Sequence, residues 1–481
     1  MRHFSLTGPY RCKLLATSLL LCALVPGSAA QSTDVRVVAT AAAKLRELAL
    51  HDQIGWDVVR SLTTEVGPRA AGSAGDAAAI KWAVLQLRQR GFANVHSSEV
   101  LVPHWIRGLA SANVIEPYPA QFATLALGGS VGTPDDGIQA TVLAVPDIKA
   151  LRDLPAAAVA GQIVYFSGHT DRSRDGSGYG RAVRQRAEGP AVAAALGAVG
   201  VVIRSISTSN NRLPHTGTTH YNIGAPRIPA VAIPNPDADA LERQIDSGRP
   251  VMLQLKVTAR DLPPVRSANV IADIPGNGQA NEIVLLAAHL DSWDPGTGAL
   301  DDGSGVAIVI AAARLAGQME PKPRRTIRVV LFANEEFGLS GATRYAADES
   351  SHVDKHVLAM EADLGAGPVW RLDANVPETS WPFVRRVQQV LAPLGVSLGA
   401  NHAGSGSDIG PLRQRGVPLL SPQLDASNYF DVHHSANDTL DKVNPEYLRQ
   451  AIATYAVAAY LAAIEPTDLG RLATDPAAQM H

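Results

Sequence analysis

Apolar positions along the 481-residue chain fall into three regimes. From Val35 to Leu50, and again from Gly75 to Arg90, they recur at helical spacing. In the second stretch Ile80, Val84 and Leu87 stand opposite Lys81 and Arg88, and Gly91 follows as a helix stop. Between about Tyr118 and Thr258 the runs are short and strand-like (Gln139–Val145, Gln162–Phe166, Val201–Arg204). Gly, Pro and Asp turns separate them, with one alanine-rich helix near Pro190–Gly197. From Ser267 onward the runs become continuous. Ile283–Ala288 and Ile327–Phe332 read as strands buried on both faces, with a helical pattern over Gly305–Leu315 between them.

Strand, helix, strand in that order predicts a βαβ unit. The fold expected is α/β, a mixed and largely parallel sheet flanked by helices, with an inserted β-rich domain. Two similar phrases, Ser111–Ile115 and Ser267–Ile271, bracket the β-rich stretch and read as strands of one main domain that an insertion interrupts. The expected layout is a leader over 1–30, a main domain over 31–117 and 259–481, and the insertion over 118–258.

Composition narrows the class. Hydrophobic residues are 46% and charged residues 18%, as in ordinary globular chains, and a net charge of −3 gives no reason for a nucleic-acid partner. The two cysteines, Cys12 and Cys22, both lie in the leader. That stretch has Arg2, Arg11 and Lys13, the apolar run Leu14–Val25, and the small residues Ser28-Ala29-Ala30, which predict cleavage before Gln31. The apolar run is short for a membrane span, and Leu21 is bulky for a lipoprotein site at Cys22. The expectation is a secreted or periplasmic protein with no stable membrane anchor and no thiol chemistry.

Polar clusters follow the apolar runs, at the strand ends where open α/β sheets bind ligands. They are His289–Asp294, Asp301-Asp302 before a helix, Glu335-Glu336, Glu361 with Asp363, and His433-His434. Singly each has an ordinary role: a helix cap, a solvated first turn, a loop histidine. Jointly, carboxylates and imidazoles at successive strand ends resemble a divalent-metal site, with N and O ligands suited to Zn²⁺.

The strings AHLDSWD, GALDDGSG, NEEFGLSGA, MEADLGA and HHSANDT resemble the two-zinc exopeptidase family. The outer segments GPRAAGSAGD, PHTG, PRIPAVAI and HAGSGSDIGPL are similar to its carboxypeptidase Q subfamily. The resemblance runs from about Ile54 to the end of the chain and suggests that the inserted domain is of the protease-associated type. It implies two Zn²⁺ per chain, one held by His289 and Asp363, the other by Glu336 and His434, with Asp301 bridging. It also implies that Asp291 accepts a hydrogen bond from His289 and that Glu335 is the general base. Substrate contacts it suggests are His402, Ser407 and Asp408, and, in the insertion, Arg204, His215 and Tyr221. The activity implied is hydrolysis of dipeptides or short peptides with free termini, by a homodimer. The alternatives are an aminopeptidase acting on longer peptides and an inactive, receptor-like peptide binder.

Overall fold

The computed structural model describes residues 27–404 and 406–474. The expected leader lies outside the described residues, except for its last four positions in the helix Gly27–Leu50.

The continuous apolar runs form the middle of an eight-stranded sheet. Its strand order is 93–106, 260–274, 325–332, 279–289, 356–361, 419–424, 369–375 and 397–398. Three successive parallel ladders occupy the centre, and antiparallel ladders lie to either side, so the sheet is mixed. Period-two alternation explains why these strands are apolar throughout. Val284, Leu286 and Ala288 face a core that includes the helices Ser304–Gly317 and Pro445–Ile464. Leu285 and Ala287 face the other side, against Tyr345 and Ala346 of the helix Ser340–Asp348. Both faces are covered, so polar residues within the strands need partners, as Arg328 has in Asp273.

A second sheet of eight strands carries the order 120–122, 110–116, 252–257, 138–145, 163–166, 200–204, 230–233 and 125–126. It too has a core on each face, with Ile163, Tyr165 and Val202 on one and Val164, Phe166 and Val201 on the other.

The structure corrects the reading of the paired phrases. Ser267–Ile271 is a strand of the first sheet, but Ser111–Ile115 belongs to the second, paired with Met252–Val257. The same alternation suits either sheet, so the local pattern carried no information on membership. The chain leaves the first sheet after Ile106, ahead of the expected position 118, and re-enters it at Arg260. Outgoing and returning segments are stitched together where Leu109 and Thr258 exchange backbone and hydroxyl hydrogen bonds. Gly108 sits there with φ +63°, too close to Thr258 for a side chain. The helix expected at 75–90 runs Ala74–Gln89, capped by Ser73. Its buried face centres on Ala79, Trp82, Ala83 and Leu87, with Ile80 and Val84 half-buried beside it.

Candidate active site

His289 is the last residue of its strand. Its backbone N–H donates to Asp302 Oδ2 at 3.1 Å, and its Nδ1 lies 3.0 Å from the Asp291 carbonyl. A carbonyl can only accept, so Nδ1 carries a proton, and in the neutral ring Nε2 is the nitrogen with the lone pair. That Nε2 is 3.2 Å from Asp301 Oδ1 and 3.6 Å from Asp363 Oδ1. His434 is built alike. Its Nδ1 is 3.2 Å from the Thr216 carbonyl, and its Nε2 is 2.9 Å from Glu336 Oε2 and 3.2 Å from Asp301 Oδ2. Asp301 thus turns one oxygen to each imidazole. Asp301 Oδ2 and Glu336 Oε1 are buried without a hydrogen-bond partner.

Three sets of ligand atoms lie within 4.8 Å of one another: His289 with Asp301 and Glu336, His289 with Asp302 and Asp363, and Asp301 with His433 and His434. His433 stacks on His434 with ring centroids 3.5 Å apart, but it approaches only Asp301, at 3.5 Å. His434 reaches both Asp301 and Glu336.

Neighbouring acids hold this arrangement rather than face it. Asp302 accepts from the backbones of His289 and Gly305, so it fixes the histidine and caps the following helix. Asp438 accepts from Leu300 and Asp301 N–H at 2.7 and 3.1 Å. The expected hydrogen bond from His289 to the Asp291 side chain is made to its carbonyl instead. The Asp291 carboxylate lies 3.8 Å from the ring and takes the backbone N–H groups of Glu335 and Glu336, at 3.0 and 3.3 Å. Arg69, fully buried, donates to the carbonyls of Leu290, Thr297 and Gly298 at 2.5, 2.6 and 2.9 Å.

Burial and neighbouring charge set the protonation of the cluster. Against the cost of burial, Asp363 and Asp301 raise His289, and Glu336 and Asp301 raise His434, well above the usual imidazole range. Burial and the nearby Asp301 push Glu336 up to about 7. Burial, with Asp363 and Glu336 adding repulsion, pushes Glu335 well above the carboxylate range. So many buried acids are costly together, and a divalent cation among them would remove that cost. Two imidazole lone pairs and unpartnered carboxylate oxygens are a donor set that fits zinc.

The cluster opens into a cavity of about 620 Å³ that Glu335, Ser407, Tyr179 and Arg186 help to line. Of the expected substrate contacts, Ser407 lies in this wall together with Glu335. Asp408 is buried beside Glu361 and Glu335, with neither oxygen partnered. His402 is exposed and lines an adjoining cavity, with Arg371 and Asp373, instead of this one. The three expected in the insertion do not line the cavity. Arg204 is consumed by Asp239 and Glu242, at 2.7 and 2.8 Å. Tyr221 donates to the Ile228 carbonyl. His215 is buried near the His433–His434 turn, and burial lowers it to about 3. What the insertion does bring is Tyr179, Arg186, Thr218 and His220 in the wall and the Thr216 carbonyl behind His434. Nothing in the sequence marks these, because their place depends on how the two sheets meet.

The chain was compared with known proteins. Residues 269–459 match the model of peptidase family M28. Mouse carboxypeptidase Q is 37% identical over 402 residues, covering 84% of each chain. A solved M28 peptidase precursor from Shewanella amazonensis superposes with a TM-score of 0.89 at 43% identity, covering 91% of this chain and 99% of that one. A zinc aminopeptidase from Bacillus subtilis shares the fold at 20% identity, with a TM-score of 0.61 over 88% of this chain and 98% of that one.

Proposed function

This chain belongs to peptidase family M28, with carboxypeptidase Q among its relatives, and is a metallo-exopeptidase; from that premise we propose a secreted dinuclear zinc enzyme that hydrolyses dipeptides or short peptides with free termini. The observation that carries the dinuclear reading is Asp301, which offers one oxygen to each of two imidazoles whose Nδ1 atoms are tied to backbone carbonyls. His289 and Asp363 would hold one ion, Glu336 and His434 the other, and Asp301 both. Carbonyl-anchored histidines and backbone-anchored carboxylates are the outer support that such ligands need.

Zinc, when bound, supplies Lewis acidity that polarises a carbonyl and brings the ionisation of water down to about pH 7. The remaining work falls to the protein. Glu335 lines the cavity; with cations beside it offsetting Asp363 and Glu336 it would be a carboxylate, take the proton of the attacking water and return it to the leaving amine. Asp291 fixes the Glu335 backbone by accepting from the Glu335 and Glu336 N–H groups. Export rests on the basic, apolar and small-residue phases of the first thirty positions, about as expected of a leader.

The test is hydrolysis of a free dipeptide and an aminoacyl-anilide before and after chelation, with zinc restored. Activity on the free dipeptide that vanishes on chelation and returns with about two zinc per chain is the expected result. Cleavage confined to the anilide would move the chain to the aminopeptidases. Two bound ions with no turnover of any peptide would sink the enzyme reading in favour of a peptide binder.

A further inference from the structure

The two ions proposed above differ in what stands behind their ligands. His289 leans on its own lobe, with its N–H on Asp302, its Nδ1 on the Asp291 carbonyl and the neighbouring Leu290 carbonyl on Arg69. The ligands of the other ion lean on the insertion. His434 Nδ1 meets the Thr216 carbonyl at 3.2 Å, and the Thr218 hydroxyl donates to the Glu336 carbonyl. The short loop Thr216–Thr218 therefore supports both His434 and Glu336 from behind. Outer support of this kind fixes the aim of a metal ligand.

That loop is held in turn by Arg107, at the point where the chain leaves the first sheet. Arg107 is 7% exposed, and its guanidinium reaches three segments at once. Nε lies 3.0 Å from each oxygen of Asp294, on the loop that follows His289, and Nη2 adds a further bond to the same carboxylate. Nη1 donates to the Thr216 hydroxyl at 2.8 Å and to the Ala126 carbonyl of the second sheet. The Thr216 hydroxyl donates to that same carbonyl at 3.0 Å. Trp105 and Trp293 flank the guanidinium carbon at 5.0 and 5.3 Å, and Trp293 also stands edge-on to the His434 ring at 5.7 Å. A planar fork binds a carboxylate along one edge and keeps Nη1 for a hydroxyl and a carbonyl, which an ammonium on a flexible stem cannot do. The ends of this bridge are unequal. Asp294 is exposed, so water can serve it in place of Arg107, whereas Thr216 and Ala126 are buried and water does not reach them.

We infer that Arg107 is a positioning residue for the ion held by Glu336 and His434: it pins Thr216 between the lobes and so sets where His434 points, while the ion held by His289 and Asp363 does not depend on it. This rests on the dinuclear reading above and adds to it an inequality between the two sites.

The experiment titrates zinc into the metal-free full chain against a chromophoric chelator. It compares the wild type with Arg107→Met, Arg107→Lys, His434→Gln and the double variant that joins Arg107→Met to His434→Gln. The wild type is expected to take two ions and His434→Gln one. Arg107→Met should weaken one of the two by about 10–100-fold and spare the other. Arg107→Lys should fall between, since it keeps the charge and loses the fork. In the double variant the remaining ion should bind as it does in His434→Gln alone, the non-additivity that a shared target produces. Two ions bound to Arg107→Met as tightly as to the wild type, or a further loss in the double variant, would mean that Arg107 serves the fold at large, and the inference is then wrong. If the Met variant does not fold, Arg107→Lys, alone and joined to His434→Gln, decides by the same comparison. A wild type that takes a single ion would instead sink the dinuclear reading, and the inference with it. Turnover enters none of these readouts.

Discussion

Arg204 and Arg186 lie in the same inserted lobe, both are buried, and their partners differ. Arg204 meets Asp239 and Glu242 and ties the helix Asn235–Ile245 to its own sheet. Arg186 meets only the Thr216 carbonyl and a ring nitrogen of His434 among the described residues, and it lines the catalytic cavity. Burial alone therefore says nothing about function. The two differ in counter-charge, and an unpaired buried cation is expensive unless something else repays it. The same contrast separates the lobes. The first sheet brings carboxylates and imidazoles that are held by backbone, whereas the second brings walls and Arg186, which has no carboxylate partner among the described residues.

The division of labour can be broken from either side, and the largest effect should come from the catalytic lobe. Glu335→Gln should lower kcat by on the order of 10³-fold, about 4 kcal/mol, while zinc content by elemental analysis stays at the wild-type value. Retained turnover would remove the base assignment and leave the ligand cluster standing.

Arg69→Met comes next. It strips the buried donors from three loop carbonyls, and each carbonyl left unpaired costs about 1–3 kcal/mol. A loss of roughly 4 kcal/mol in denaturant midpoint analysis is expected, with weakened zinc affinity because Leu290 and Gly298 flank the ligand loop. If stability were unchanged, the loops would have to be held by something other than Arg69.

The smallest effect sharpens the comparison away from the site. His356, buried and paired through Nε2 with the Tyr345 hydroxyl at 2.8 Å, is lowered to about 4 by burial and by Arg328. The unfolded chain takes up that proton near pH 6.5, whereas the folded chain resists it. The contribution is therefore complete above pH 6.5 and is lost as pH falls towards 4, in total about 3 kcal/mol. His356→Gln should flatten the acid limb of the stability curve in that window relative to wild type. An unchanged limb would show that His356 is protonated in the native state.

Much of the catalytic lobe was legible because its chemistry begins where apolar runs stop. The apolar run Ile283–Ala288 ends at His289, the first polar residue after it, and Glu335 and Asp363 follow their strands in the same way. Even the ordinary role offered for the acidic pair proved half correct, since Asp302 caps its helix while Asp301 faces the histidines. The insertion was legible as strands and turns but not as a neighbour. Its start was placed late because Ser111–Ile115 alternates like any half-buried strand. Its contribution to the cavity was assigned to Arg204, His215 and Tyr221 on similarity of segments alone, and only contact between the sheets distinguishes these from Arg186.

His434 and Thr216 exchange two hydrogen bonds across the lobes: the Thr216 N–H donates to the His434 carbonyl at 3.0 Å, and His434 Nδ1 returns to the Thr216 carbonyl. Both partners on the Thr216 side are main chain, which every amino acid possesses. A substitution scan of the insertion would thus pass over its most intimate link to the reacting centre. A deletion of one residue just upstream of Pro214, outside every quoted segment, would shift that carbonyl by a residue's length and leave His434 free to turn. The insertion is therefore spliced to the catalytic ring by its path through space and not by its spelling, and exchange of one insertion for another would have to preserve that path to the ångström scale.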